Sequence, residues 1–209
     1  MTIDIAIFDI GISNIQSVKN SLELLNIKFD IIKNWNINES YPTYKIFILP
    51  GVGSFDEGIK RLRSTGISDL IHLINQRNDR IIGICLGMQL LLDSNEESKS
   101  GQSGLGLIQA EVKKINFVNV KVPHIGWDKV KTTKFCPEDL SNFLNNDFYF
   151  LHSYYCNVDK EIVLSNVNLS NGISIPVAYK YKNIYGFQFH PEKSQEAGSA
   201  LMNFLCLTN

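Results

Sequence analysis

The sequence predicts an α/β protein: a mostly parallel central sheet with helices on both faces, to which a strand-rich second half adds antiparallel strands. Two observations carry that reading. Strand-like and helix-like runs alternate from the amino terminus to about residue 92, the order that builds a parallel sheet covered on both sides. After about residue 105 strand-like runs follow one another with few helical patterns between them.

Residues 3–8 read as a buried strand, and Ile15, Val18, Leu22 and Leu25 then recur at the three-and-four spacing of an amphipathic helix. A second strand is expected over 28–33 and a third from Lys45 to Leu49, halted by Pro50-Gly51. Ile67, Leu70, Ile71 and Ile74 mark another helix, Arg80 to Ile84 a fourth strand, and Leu86 to Leu92 a helix. Ala110 to Phe117, Phe148 to Cys156, Pro176 to Tyr181 and Ile184 to Phe189 are the later strands, with a tight turn at Lys182-Asn183. A last helix runs from about Ser194, a plausible N-cap, to Leu205. With no repeat and no Pro/Gly-rich linker, one domain over residues 1–209 is expected.

A formal net charge of −1 supplies no field to gather nucleic acid or an anionic membrane. No stretch reaches the roughly 18 apolar residues of a membrane span, and Met1-Thr2-Ile3-Asp4 does not open a secretory signal. The four cysteines, Cys85, Cys136, Cys156 and Cys206, form no CxxC pair and no zinc-finger spacing. A cytoplasmic protein with reduced thiols and neither metal nor cofactor is therefore expected.

One of those thiols stands apart. Gly83-Ile84-Cys85-Leu86-Gly87-Met88-Gln89 falls where a strand gives way to a helix, and G-x-C-x-G there is the thiol form of a nucleophile elbow. The turn exposes the sulfur at the carboxyl end of a strand, where open α/β sheets bind ligands. The following helix points its N-terminal dipole at it, favouring thiolate. An isolated cysteine would more often be structural; both glycines and the junction favour the catalytic reading.

A thiol that attacks an amide needs a base that also protonates the leaving amine. His72 falls on the polar side of a helix, while His124 and His152, in aromatic-rich sequence, fit a structural or a substrate-adjacent place. His190 ends a strand, Pro191 stops the ladder, and Glu192 can take the second imidazole N–H and fix its tautomer. His-Pro-Glu alone would more often be a turn; the elbow gives it weight. Pro50-Gly51-Val52-Gly53 lacks the pattern of a phosphate loop and suits a backbone N–H offered to a tetrahedral intermediate. Glycines on both sides of Val52 let that peptide reorient, and in the free chain its N–H is expected to point away from the site.

Three blocks, Leu49-Pro50-Gly51-Val52-Gly53, Gly83 to Gln89 and Gln188-Phe189-His190-Pro191-Glu192-Lys193-Ser194, make the whole chain resemble the class I (triad) glutamine amidotransferases. The resemblance implies their flavodoxin-like fold and a Cys85–His190–Glu192 triad that hydrolyses glutamine through a glutamyl thioester and releases ammonia. It further implies oxyanion N–H groups from Leu86 and from Gly51, Val52 and Gly53, and a glutamine pocket lined by Gln89, His152, Ser153 and Tyr154. Val122-Pro123-His124-Ile125-Gly126-Trp127, His152-Ser153-Tyr154-Tyr155 and Lys193 narrow the likeness to the glutaminase subunits of imidazole glycerol phosphate synthases. Those subunits form a heterodimer with a (β/α)8 barrel cyclase in histidine biosynthesis, which would put Asn14, Trp127, Tyr149 and Lys193 at the interface. Asp9-Ile10-Gly11-Ile12-Ser13-Asn14 and Gly126-Trp127-Asp128 depart from the usual Asp-Tyr-Gly-x-Gly-Asn and Gly-Trp-Asn. Ser54-Phe55-Asp56-Glu57-Gly58 is similar to a paralogous branch that supplies ammonia for amidino-sugar surface polysaccharides. A non-catalytic regulatory subunit is the reading of another class.

Overall fold

The computed structural model describes residues 4–207. Ile3, the first residue of the expected opening strand, lies outside them. The first half alternates as its sequence dictates: β1 (Ile5–Phe8), α1 (Ile15–Leu24), β2 (Asp30–Ile32), β3 (Ile46–Gly51), α2 (Phe55–Ser64), α3 (Ile67–Arg77), β4 (Arg80–Cys85) and α4 (Leu86–Leu90). Next come β5 (Leu92–Asn95), β6 (Ile108–Lys114), β7 (His124–Thr132), α5 (Glu138–Leu144), β8 (Asp147–His152), β9 (Tyr154–Asn157), β10 (Val163–Asn168), β11 (Ser174–Tyr181), β12 (Ile184–Phe187) and α6 (Gln195–Leu207).

Nine strands form one mixed sheet in the order β2-β1-β3-β4-β12-β11-β10-β7-β8. From β2 to β12 neighbours are parallel; from β12 to β8 they are antiparallel. A smaller sheet, β5-β6-β9, stands beside it. Alternate residues of the parallel strands enter opposite cores, as a two-residue side-chain period requires. Ile5, Ile7, Ile46, Ile48, Ile82 and Ile84 face α1, α5 and α6, whereas Ala6, Phe8, Phe47, Leu49 and Ile81 face α2 and α3. In α3, Ile67, Leu70, Ile71 and Ile74 are all fully buried, each contributing about 1.5–3 kcal/mol of hydrophobic stabilisation.

Several boundaries differ from expectation, each for a local reason. β3 continues through Pro50-Gly51. Its ladder with β1 ends at Ile48, so Pro50 is paired with β4 alone, and a one-sided strand tolerates a missing N–H. α4 stops at Leu90 because Leu92 pairs with Ile108 in the smaller sheet. The single strand expected from Phe148 to Cys156 is two, divided at Ser153: β8 joins the large sheet and β9 the small one. Ser194 precedes α6, but its hydroxyl donates to the His190 carbonyl (2.6 Å) and accepts the Tyr149 amide (3.0 Å), where an N-cap would accept from the helix. The turn at Lys182-Asn183 is as expected, linking β11 to β12 with Tyr181 opposite Ile184.

The topology answers what spacing alone cannot. β4 and β12 are adjacent and parallel, with Ile84 beside Phe187. Cys85 and the segment Gln188–Glu192 therefore leave the sheet at the same edge, although they lie far apart in the chain.

Candidate active site

The bend after β4 is built by close approach. A Cβ on Gly87 would sit 1.8 Å from the Leu49 carbonyl oxygen, and one on Gly83 2.7 Å from Met88 Cα, so neither position accepts a side chain. Between them Cys85 adopts φ 53° and ψ −113°, a conformation that costs a non-glycine residue about 1–3 kcal/mol and persists where the surroundings enforce it. α4, only five residues long, begins at Leu86. Its first N–H groups have no acceptor within the helix and face the elbow. So short a helix carries less dipole than the expected run to Leu92 would.

His190 follows β12 and is 1% exposed, its amide donating to the Tyr149 carbonyl at 2.9 Å. Its Nδ1 lies 2.8 Å from Glu192 Oε1, and the Glu192 side chain is 2% exposed. A one-turn 3-10 helix, Pro191–Lys193, brings the carboxylate back under the ring. Nε2, on the other side, is buried without a well-formed hydrogen bond. Burial opposes protonation of His190, but Cys85 first and Glu192 second outweigh it and raise the imidazole to about 10. Cys85→Ala removes the larger of those two influences. Followed by NMR, the His190 ring should titrate lower in this variant; an unchanged titration would show that Glu192 alone holds the proton.

A cavity of about 290 Å³ opens over the sulfur, lined by Val52, Gly53, Cys85, Leu86, Gln89, Glu97, Pro123, Leu151, His152, Ser153 and Tyr154. The expected pocket residues Gln89, His152, Ser153 and Tyr154 are thus brought together with the elbow. A larger cavity, about 520 Å³, is lined by Lys45, Arg80, Lys180 and Lys182 among others, but it contains none of these residues, so size does not mark the site. Gly51 lies outside the lining, beneath the elbow: a Cβ there would meet Gly87 N and Leu86 Cβ at 3.0 Å. The Val52 N–H donates to the Ile12 carbonyl at 3.0 Å, away from the cavity.

Sequence reasoning assigned Gln188 no role, although it opens the third block. Fully buried, it donates from Nε2 toward Cys85 Sγ at 3.7 Å, and its Oε1 accepts Gln89 Nε2 at 2.9 Å. Glu97, Pro123 and Leu151 were also missed. Glu97 is the one acid in the lining, its carboxyl raised by burial; only its sign could have suggested it. His152 cannot be a free donor to a ligand. Its Nδ1 lies 2.7 Å from the Tyr154 carbonyl and its Nε2 2.9 Å from His124 Nδ1. The other expected residues sit beside this site. Trp127, 47% exposed, meets Tyr149 edge-on at 6.2 Å, and Lys193 Nζ lies 5.9 Å from the Tyr149 ring centroid. Asn14 immediately precedes α1, without a side-chain capping bond, and α1 packs near the 191–193 turn. Among the described residues no three His, Cys, Asp or Glu are grouped to hold a metal ion.

A buried His–carboxylate pair beside a cysteine elbow, on a mixed sheet with helices on both faces, defines a class of amide-cleaving enzyme. The profile of the class I glutamine amidotransferases matches residues 6–209, and the chain belongs to that family, whose members hydrolyse glutamine and transfer the ammonia. Its sequence is 41% identical over 97% of its length to the imidazole glycerol phosphate synthase subunit HisH of Leptospira borgpetersenii, covering 100% of that protein. It is 42% identical to subunit HisH 2 of Methanococcus maripaludis, covering 96% of this chain and 98% of that one. Among solved structures, PurLQS from Thermotoga maritima superposes with TM-score 0.71 at 16% identity, over 98% of both chains. The glutaminase domain of Trypanosoma brucei CTPS gives 0.63 at 15% identity, over 100% of this chain and 95% of that one.

Proposed function

We propose that residues 1–209 form one glutaminase domain, the subunit that feeds ammonia to a (β/α)8 cyclase partner making imidazole glycerol phosphate in histidine biosynthesis. The observation that carries the chemistry is the His190–Glu192 contact of 2.8 Å next to the Cys85 elbow, whose sulfur lines the cavity. Cys85 Sγ attacks the side-chain amide carbon of glutamine. His190, oriented by Glu192, gives the leaving nitrogen a proton, so ammonia departs and a glutamyl thioester remains. His190 then takes a proton from water as it attacks the thioester, which frees glutamate and restores the thiolate. Leu86 N–H, and Val52 N–H once reoriented, stabilise the oxyanion. Glu97 offers charge to the α-ammonium group, and Gln89 closes the wall beside it. No cofactor or metal takes part.

Full-length identity to two HisH proteins supports the pathway. The docking face would be the exposed apolar surface of β7 and β8, where Ile125 pairs with Leu151 and Trp127 with Tyr149. Asn14 and Lys193 would join it. The segment Ser54–Gly58 has a structural account that needs no sugar-pathway reading. It starts α2, with Phe55 in the core and Gly58 against Leu90. Among the described residues no helix is long and apolar enough to cross a membrane. The test is reconstitution: this chain, glutamine and a purified histidine-type cyclase with its ribonucleotide substrate should yield imidazole glycerol phosphate. Glutamine hydrolysis without that product would move the chain to the paralogous pathway; no hydrolysis in any pairing would leave the regulatory-subunit reading.

A further inference from the structure

A chain of hydrogen bonds links the outer end of β7 to the Cys85 sulfur through the Tyr154 carbonyl, which accepts from both sides. Antiparallel pairing sets His124 opposite His152. Four residues of extended strand would part His124 and Asp128 by about 13 Å, more than the two side chains can bridge. Gly126, at φ +130° between them, bends the strand, and His124 Nε2 meets Asp128 Oδ2 at 2.7 Å. Phe150, the register partner of this glycine, stacks on the His124 ring at 4.8 Å.

The protons follow by counting. The Tyr154 carbonyl only accepts, so His152 Nδ1 carries hydrogen across their 2.7 Å contact. Burial lowers His152 to about 3, so the ring is neutral and its Nε2 bare. His124 Nδ1 must then donate across 2.9 Å, while its Nε2 lies 2.7 Å from Asp128 Oδ2, a contact that holds the ring in this orientation. On the inner side, the Tyr154 carbonyl also accepts Gln89 Nε2 at 3.4 Å, Gln89 donates to Gln188, and Gln188 donates toward Cys85. His124 is 11% and Asp128 47% exposed, so the chain begins in solvent and ends at the sulfur.

We infer that Asp128 and His124 are positioning residues for glutamine turnover: they lock the His152 tautomer whose N–H holds the Tyr154 carbonyl, and that carbonyl with Gln188 fixes the Gln89 amide against the cavity. Without a donor at His124, His152 can place its proton on Nε2 instead. Two acceptors would then face each other at Tyr154, and the 152–154 wall and Gln89 would move. The inference rests on the glutaminase reading above, deepening it with residues outside the triad.

The test joins imidazole ¹⁵N NMR at pH 7.5 to steady-state glutaminase kinetics for the wild-type chain and for His124→Leu, His124→Gln and Asp128→Asn. In the wild type, His152 should appear as the neutral Nδ1–H tautomer. His124→Leu should convert His152 to a tautomer mixture and lower kcat/KM roughly ten- to a hundredfold, mostly through KM. His124→Gln, whose amide can still donate to His152 Nε2, should recover to within a fewfold of wild type; a purely space-filling role would make the two variants alike. Asp128→Asn, at a half-exposed position, guards against a His124→Leu chain that fails to fold and should loosen the His124 ring enough to admit some of the other His152 tautomer. An unaltered His152 tautomer, or wild-type kinetics in His124→Leu, overturns the inference. Absence of glutamine hydrolysis in the wild type itself overturns the glutaminase reading instead, while the tautomers still decide the hydrogen-bond chain.

Discussion

Cys85→Ala should leave no measurable glutamine hydrolysis, a loss on the order of 10⁶-fold if the thiol acts with His190 and Glu192 as one unit. Cys136→Ala, Cys156→Ala and Cys206→Ala should keep the activity. Burial pushes the Cys136 thiol up to about 11 and Cys206 to about 12, and raises Cys156 further, so these three stay protonated and poorly nucleophilic at neutral pH. Cys156 lies within β9, Cys206 within α6 and Cys136 in the loop between β7 and α5, and none has the Gly-flanked bend of Cys85. A glutamine-analogue electrophile should accordingly label Cys85 alone, by peptide mass. The complex holding Cys85→Ala should still form product from added ammonium salt, because this chain would contribute only the nitrogen. Labelling spread over several cysteines would sink the nucleophile assignment. Loss of ammonium-driven synthesis in an assembled complex would place acceptor chemistry in this chain.

The elements that hydrophobic periodicity could reveal were those buried on one or both faces. β1, α1, α3 and β4 carry dense apolar patterns because each packs into the two cores beside the parallel strands. β7 went unread because its large apolar residues Ile125 and Trp127 lie on the exposed face, and only Val130 of its nine residues is buried. β10 hides its strand behind Ser165 and Asn166, with Ser165 fully buried. α2 did carry a signal: Phe55, Ile59 and Leu62 recur at helical spacing, and Ser54 with Glu57 has the form of a capping box. The break at Ser153 could not be read, since whether one strand serves two sheets depends on long-range pairing.

The site divides along the same line. Cys85, His190 and Glu192 were legible because an elbow and a His-x-Glu turn are local motifs, with geometry set by neighbours in the chain. Gln188 and Glu97 were not, because their places beside Cys85 and in the cavity wall are set only where β4, β12 and the loop after β5 come together. His124 was visible as a histidine in aromatic surroundings. Its partner Asp128 and the bend at Gly126 that joins them depend on the β7–β8 register.

The isolated chain should hydrolyse glutamine slowly, and the cyclase partner with its bound ligand should raise kcat by roughly a hundred- to a thousandfold with little change in KM. The reason lies in one peptide. Val52 N–H is committed to the Ile12 carbonyl at 3.0 Å, so an oxyanion in the cavity meets one donor fewer than the loop could supply. An oxyanion donor is worth about 2.7–4 kcal/mol of transition-state stabilisation, which sets the size of the expected activation. The peptide that must turn joins Gly51 to Val52, and Gly51 has no Cβ to oppose its rotation. Ile12 belongs to the segment that leads into Asn14 and α1, so a partner that contacts Asn14 can favour the reoriented state through differential contacts. A donor made only in the transition state moves kcat rather than glutamine affinity, and this separates the switch from simple improvement of the pocket. Lys193→Ala should weaken the activation while the unstimulated rate stays the same, if its ammonium bridges to the partner. Steady-state kinetics on the chain alone, with partner, and with partner plus ligand would decide. Full activity in the isolated chain would refute the switch, because a Val52 N–H held by Ile12 would then be dispensable to turnover.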